Sequence, residues 1–158
     1  MRLLCRRRGG RLVHGYPYRV SAAKGFCLAT GKPSLPITSF EVAAYNALER
    51  GEKTLCVVDA LHDAYYACGF DNENRVILPP AYLTEDEVLS LTGEGYSLRA
   101  LRSKDEWTIG LAQRAKVQAC DPTEGLKNAV LAKAEQGAFG ELNAVYVRKS
   151  SAELNLGK

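Results

Sequence analysis

Two polar residues close to the end of one apolar segment have side chains suited to acid–base or ligand chemistry. Asp59 lies near the end of Thr54–Ala60, and His62 follows three positions later. A carboxylate at a strand end of an α/β fold can bind a metal ion or a base, and an imidazole can transfer a proton near neutral pH. The simpler interpretation is a structural turn residue at Asp59 and an exposed loop residue at His62. We therefore expect Asp59 to stabilise a turn, and we assign no catalytic residue.

The thiols and imidazoles are too scattered to predict a metal centre or a disulfide framework. No two cysteines form a C-x-x-C pair, and the chain has only two histidines. A zinc site needs such ligands at short spacing, and disulfides belong to oxidising compartments. We therefore expect no metal, and free, buried thiols in a reducing compartment. The five cysteines are Cys5, Cys27, Cys56, Cys68 and Cys120.

The motifs of several enzyme classes are missing from the full sequence. It contains no G-x-S-x-G, no G-x-x-x-x-G-K-[ST], no G-x-G-x-x-G and no H-E-x-x-H. These motifs provide, respectively, a nucleophile elbow, a phosphate-binding loop, a dinucleotide-binding turn and a zinc-binding helix. The residues therefore predict neither a cofactor nor an enzyme that acts alone.

The hydrophobic pattern predicts a mixed α/β fold, because helical and strand periodicities alternate along the chain. Capping boxes at Thr38/Glu41 and Thr84/Glu87 mark two helix starts, and Asp121 followed by Pro122 marks a third. Trp107–Gln118 is ambiguous. The predicted helices are Val20–Thr30, Phe40–Arg50, a short one ending at Leu91, and one running from Asp121 to Gln136. The predicted strands are Leu35–Thr38, Thr54–Ala60, Ala64–Phe70, Arg75–Leu78, Tyr96–Leu101 and Ala144–Val147.

The positive charge of the chain is concentrated at one end. The 158 residues carry a formal charge of +3, but residues 1–19 hold six arginines and no acid. The remainder has fifteen basic and eighteen acidic residues, a net charge of −3. An arginine-rich arm favours nucleic acid as a ligand, so a small RNA-binding protein is an alternative function. The end lacks the apolar core of a secretory signal and the serines of a mitochondrial presequence, and no segment is long enough to span a membrane.

Three segments together resemble one protein family. Ala22–Glu41 reads A-A-K-G-F-C-L-A-T-G-K-P-S-L-P-I-T-S-F-E, Val57–Tyr66 reads V-V-D-A-L-H-D-A-Y-Y, and Ala144–Glu153 reads A-V-Y-V-R-K-S-S-A-E. In this order and spacing they are similar to A-K-G-L-A with S-S-L-E, D-A-R-R-x-E-V-Y and P-V-Y-L-R of the TsaB family, also called YeaZ. The family's basic residue after Asp-Ala is Leu61 here, its acidic position is Ala64, and its proline before V-Y is Ala144.

The resemblance implies an actin-like, ribonuclease-H-like ATPase fold with an incomplete first lobe and a second lobe. It implies a cytoplasmic, non-catalytic subunit of the complex that forms N6-threonylcarbamoyladenosine at position 37 of tRNA. The implied partners are a TsaD-type catalytic subunit and a TsaE-type ATPase, with tRNA contacted only through the complex. The resemblance also allows a homodimer. It implies no cofactor and no protease activity.

The pairing surface of the family is helical and lies on the first lobe, which the helix Val20–Thr30 matches in part. The predicted interface residues share one helix face at i, i+3, i+4 and i+7. They are Val20, Ala23, Lys24 and Cys27. The alternative is that this face belongs to the core.

The resemblance does not extend to residues 1–19. The family has a strand and then G-P-G-S-F-T-G-[LI]-R-[IV]-G before the A-K-G helix, whereas Arg11–Arg19 reads R-L-V-H-G-Y-P-Y-R. Back-translating Leu12–Arg19 and reading one base later yields S-F-T-G-I-R-I-G. We therefore expect a disordered, out-of-frame leader at 1–19, a first-lobe remnant at 20–51 and the second lobe at 52–158. A non-functional gene fragment is the remaining alternative.

Overall fold

A computed structural model describes residues 12–47, 53–60, 64–101, 106–145 and 147. These residues form five helices and five strands. The helices are α1 (Leu12–Thr30), α2 (Ser39–Ala44), α3 (Glu85–Gly93), α4 (Glu106–Arg114) and α5 (Pro122–Glu135). The strands are β1 (Lys53–Asp59), β2 (Ala64–Asp71), β3 (Val76–Thr84), β4 (Tyr96–Leu101) and β5 (Val117–Cys120). The predicted mixed α/β class is confirmed.

The chain divides into two compact units. One contains α1 together with residues 133–145, and the other contains residues 37–132 and therefore the whole sheet. Helix α2 belongs to the unit with the sheet, because Phe40, Ala43 and Ala44 pack with strand residues in one buried cluster. The predicted boundary between residues 51 and 52 lies outside the described residues and stays a prediction.

The sheet has the order β3-β2-β1-β4-β5. Strands β1, β2 and β3 form an antiparallel meander, whereas β4 is parallel to β1 and β5 is parallel to β4. A parallel connection needs a crossover, and α3 and α4 provide the two crossovers. Strand β3 is an edge strand, and it contains Pro79 and Pro80, which have no amide hydrogen to donate to a further strand.

The two faces of the sheet bury different side chains, as the two-residue period of strands requires. One face carries larger aliphatic residues such as Leu55, Val57 and Leu98, which pack with Val88 of α3 and Leu111 of α4. The opposite face carries small and sulfur-containing residues and packs against α2. Its buried members are Phe40, Ala43, Ala44, Cys56, Cys68, Phe70 and Cys120.

A fully buried arginine lies on this second face. Arg99 of β4 is 0% exposed, and its Nη1 donates to the carbonyl oxygens of Ala44 at 2.9 Å, Asn46 at 3.4 Å and Ala43 at 3.5 Å. Its Nε donates to Oε1 of Gln118 on β5 at 3.3 Å. The carbonyls at a helix C-terminus have no amide partner within the helix. Arg99 therefore supplies the donor that ends α2 and holds it on the sheet.

Asn46 extends this polar cluster to the start of α5. Its Nδ2 donates to the carbonyl of Val42 at 2.7 Å, and its Oδ1 accepts from the backbone N of Asp121 at 2.8 Å. Nδ2 of Asn128 also donates to the Tyr45 carbonyl at 3.0 Å. Helix α5 is thus bound to the end of α2 by hydrogen bonds rather than by apolar contact alone.

The close approach of the two helices depends on Gly125 of α5. A Cβ at this position would overlap the carbonyl oxygen of Val42 and Nδ2 of Asn46. Only glycine leaves room for this approach.

The structure confirms most predicted elements. Both capping boxes are present, with Glu41 N donating to Thr38 Oγ1 at 3.2 Å and Glu87 N to Thr84 Oγ1 at 3.4 Å. The ambiguous segment Trp107–Gln118 separates into α4 and β5. Helix α5 is followed by Gly137 at φ +65°, as its predicted end requires.

Five element predictions were wrong in type or extent. The strand predicted over Arg75–Leu78 is β3, which runs from Val76 to Thr84 through Pro79 and Pro80, because an edge strand tolerates residues that have no amide hydrogen to donate. Helix α1 begins at Leu12 rather than Val20, so residues 12–19 of the predicted disordered leader are helical, and residues 1–11 lie outside the described residues. Helix α2 ends at Ala44, before the predicted Arg50, because Arg99 binds its terminal carbonyls. Leu35–Thr38 is not a strand, since no described strand pairs with it. Residues 144 and 145 are likewise in no strand, and Tyr146 lies outside the described residues.

None of the helices in the described part of the chain combines the length and the apolar character needed to cross a bilayer.

We predict that Gly125→Ala lowers the free energy of unfolding by about 1–3 kcal/mol, because the added methyl forces α2 and α5 apart. Urea titration followed by circular dichroism measures the change. Gly110→Ala is the matched control, because Gly110 is also helical and its Cβ would meet nothing within 4 Å. The control should be neutral or stabilising by about 0.5–1 kcal/mol. If the free energy of unfolding falls equally in both variants, the close approach of the two helices at Gly125 is contradicted.

We also predict that Arg99→Met destabilises the fold by about 3 kcal/mol or more, because several buried carbonyls lose their donor. The control is Arg114→Met, which removes an exposed arginine that pairs with Glu85 and Asp86. Exposed pairs contribute little, so the control should change the unfolding midpoint far less. A small effect of Arg99→Met would show that water or another side chain replaces the guanidinium.

Candidate protein-interaction surface

Helix α1 carries all four residues predicted to form the partner interface. Its sequence is rich in alanine, and the helix ends where Gly31 adopts φ +63°, which glycine tolerates best. In the last turn, the Thr30 hydroxyl donates to the Phe26 carbonyl at 2.7 Å. The described side chains of α1 run from Tyr18 to Thr30.

The four predicted residues do not share one environment. Val20, Ala23 and Cys27 are half-buried within this chain, whereas Lys24 is exposed. Lys24 Nζ donates to Oδ1 of Asn143 at 3.2 Å, and both residues belong to the same unit. The predicted face is therefore already partly covered, and a role for its residues in partner binding stays a prediction.

The large exposed side chains of α1 lie elsewhere on the helix. Tyr18 is 73% exposed, Phe26 67% and Leu28 87%. Successive helical residues are rotated by about 100° around the helix axis. Tyr18 therefore points away from Cys27, and Phe26 and Leu28 lie about 80° to either side of Tyr18. We call Tyr18, Phe26 and Leu28 the open face of α1.

A helix that is apolar on all sides normally packs against protein on all sides. Tyr18, Phe26 and Leu28 are exposed around the half of the helix that faces away from Cys27, and exposed apolar side chains of this size occur at protein–protein contacts. The sequence prediction missed these residues because it followed a single i, i+3, i+4, i+7 stripe. The sequence could have indicated them, because Tyr18, Phe26 and Leu28 are large apolar residues of the same helix that lie outside that stripe.

Asp59, the predicted turn residue, is half-buried at the end of β1 and lies opposite Tyr65 of β2. The Ala60 amide donates to the Ala64 carbonyl at 3.0 Å and closes the predicted hairpin. Residues 61–63, including His62, lie outside the described residues. The hairpin is confirmed, and the stabilising role of Asp59 stays a prediction.

Three cysteines are buried on the face of the sheet that holds Arg99. Cys56 lies directly opposite Cys68 in the β1–β2 register, and all three thiols are free. Burial raises the pKa of Cys68 and of Cys120 to about 11 and raises the pKa of Cys56 well above its usual value. These groups are therefore protonated and poor nucleophiles at neutral pH. Among the described residues, no cluster of His, Cys, Asp or Glu side chains could hold a metal ion.

The five-stranded mixed sheet and its helices define a mixed α/β protein whose exposed helix surface is available for protein contact. No protein-family model and no curated protein matches the sequence. Solved structures do share the fold. An uncharacterized Pseudomonas aeruginosa protein with similarity to peptidase YeaZ matches 90% of this chain and 70% of its own, with TM-score 0.58 and 18% identity. YeaZ from Pseudomonas aeruginosa matches 89% and 71%, with TM-score 0.54 and 18% identity. The chain therefore has a YeaZ-like fold.

We predict that iodoacetamide at pH 8 alkylates Cys27 before Cys56, Cys68 and Cys120. The three buried thiols are shielded, and their raised pKa values leave little thiolate at this pH. Peptide mass spectrometry after timed quenching gives the order, and labelling in urea shows that all four sites can react. Early labelling of Cys56 in the folded protein would contradict its burial.

Proposed function

We propose that this chain is a non-catalytic partner subunit of the complex that forms N6-threonylcarbamoyladenosine at position 37 of tRNA. It binds a TsaD-type catalytic subunit in an assembly that includes a TsaE-type ATPase, in the cytoplasm, and it contacts tRNA through that assembly. In this proposal the sheet unit corresponds to the second lobe of an actin-like fold, and α1 is part of a first lobe.

Two independent lines support the proposal. The three segments of the sequence resemble TsaB proteins, and the fold is similar to that of YeaZ from Pseudomonas aeruginosa. The segment Val57–Tyr66 includes the end of β1 and the start of β2, and Ala22–Glu41 includes the second half of α1 and the start of α2. Two of the resembling segments therefore occupy regular elements in the order that the family has.

The open face of α1 is the observation that carries the proposal. Phe26 and Leu28 are mostly exposed, and burying a side chain of this size in a protein contact contributes about 1.5–3 kcal/mol. Exposed apolar side chains on a helix suit a protein partner that buries that helix in an apolar groove. A scaffold role needs this contact and needs no catalytic group in this chain.

We predict that the double variant Phe26→Ser/Leu28→Ser binds a TsaD-type subunit from the same organism at least about tenfold more weakly than the unchanged chain. The substitutions remove apolar anchors from an exposed surface, so the fold should persist. Isothermal titration calorimetry with purified proteins measures Kd, and circular dichroism checks the fold.

Leu131→Ser is the matched control, because Leu131 is an exposed leucine of α5 at 52%. It should leave Kd unchanged. The proposal fails if the unchanged chain does not bind the TsaD-type subunit. It also fails as a statement about α1 if the double variant and the control bind equally well.

A further inference from the structure

We draw no further inference here: the strongest candidate, the exposed apolar edge of the sheet at Val76, Ile77, Pro79 and Pro80 of β3, carries nothing because no contact in the described part of the chain shows what covers it.

Discussion

The sheet unit depends on the burial of one arginine. Arg99 lies on β4, between the positions of Cys56 on the central strand β1 and Gln118 on the edge strand β5. A buried guanidinium is stable only where acceptors satisfy it, and the carbonyls at the end of α2 provide them. Hydrogen bonding to a strand therefore adds to the apolar packing of Phe40, Ala43 and Ala44, which explains why a helix of only six residues is held in one place.

The rest of that face follows from the same constraint. Its strand residues are mainly cysteines, and its helical residues are mainly alanines. Side chains of this size leave room for the guanidinium and for close approach of the backbone of α2. Two residues hold α5 against the end of α2. Asn46 accepts a hydrogen bond from the backbone N of Asp121, and Gly125 has no side chain that would keep the two helices apart. The thiols in this setting act as small core residues, and their raised pKa values reflect burial rather than reactivity.

Helix α1 contrasts with this arrangement. The sheet unit buries Arg99 and Asn46 among hydrogen-bond partners, whereas α1 leaves Tyr18, Phe26 and Leu28 exposed. An apolar surface gains free energy when it is covered, and the charges around it determine what covers it most favourably.

The sequence by itself determined the elements whose signals are local. Alternating or continuous apolar runs predicted β1, β2 and β4, and Thr38/Glu41 and Thr84/Glu87 predicted two helix starts, because capping and strand periodicity involve neighbouring residues. Only the tertiary structure decided where α2 ends, since Arg99 is more than fifty positions away from it along the chain. Contacts between distant residues also decided that Leu35–Thr38 is no strand and that α1 exposes Tyr18, Phe26 and Leu28 while Val20, Ala23 and Cys27 are half-buried. Local pattern specifies which residues can form a helix or strand, whereas the exposure of each face depends on what packs against it.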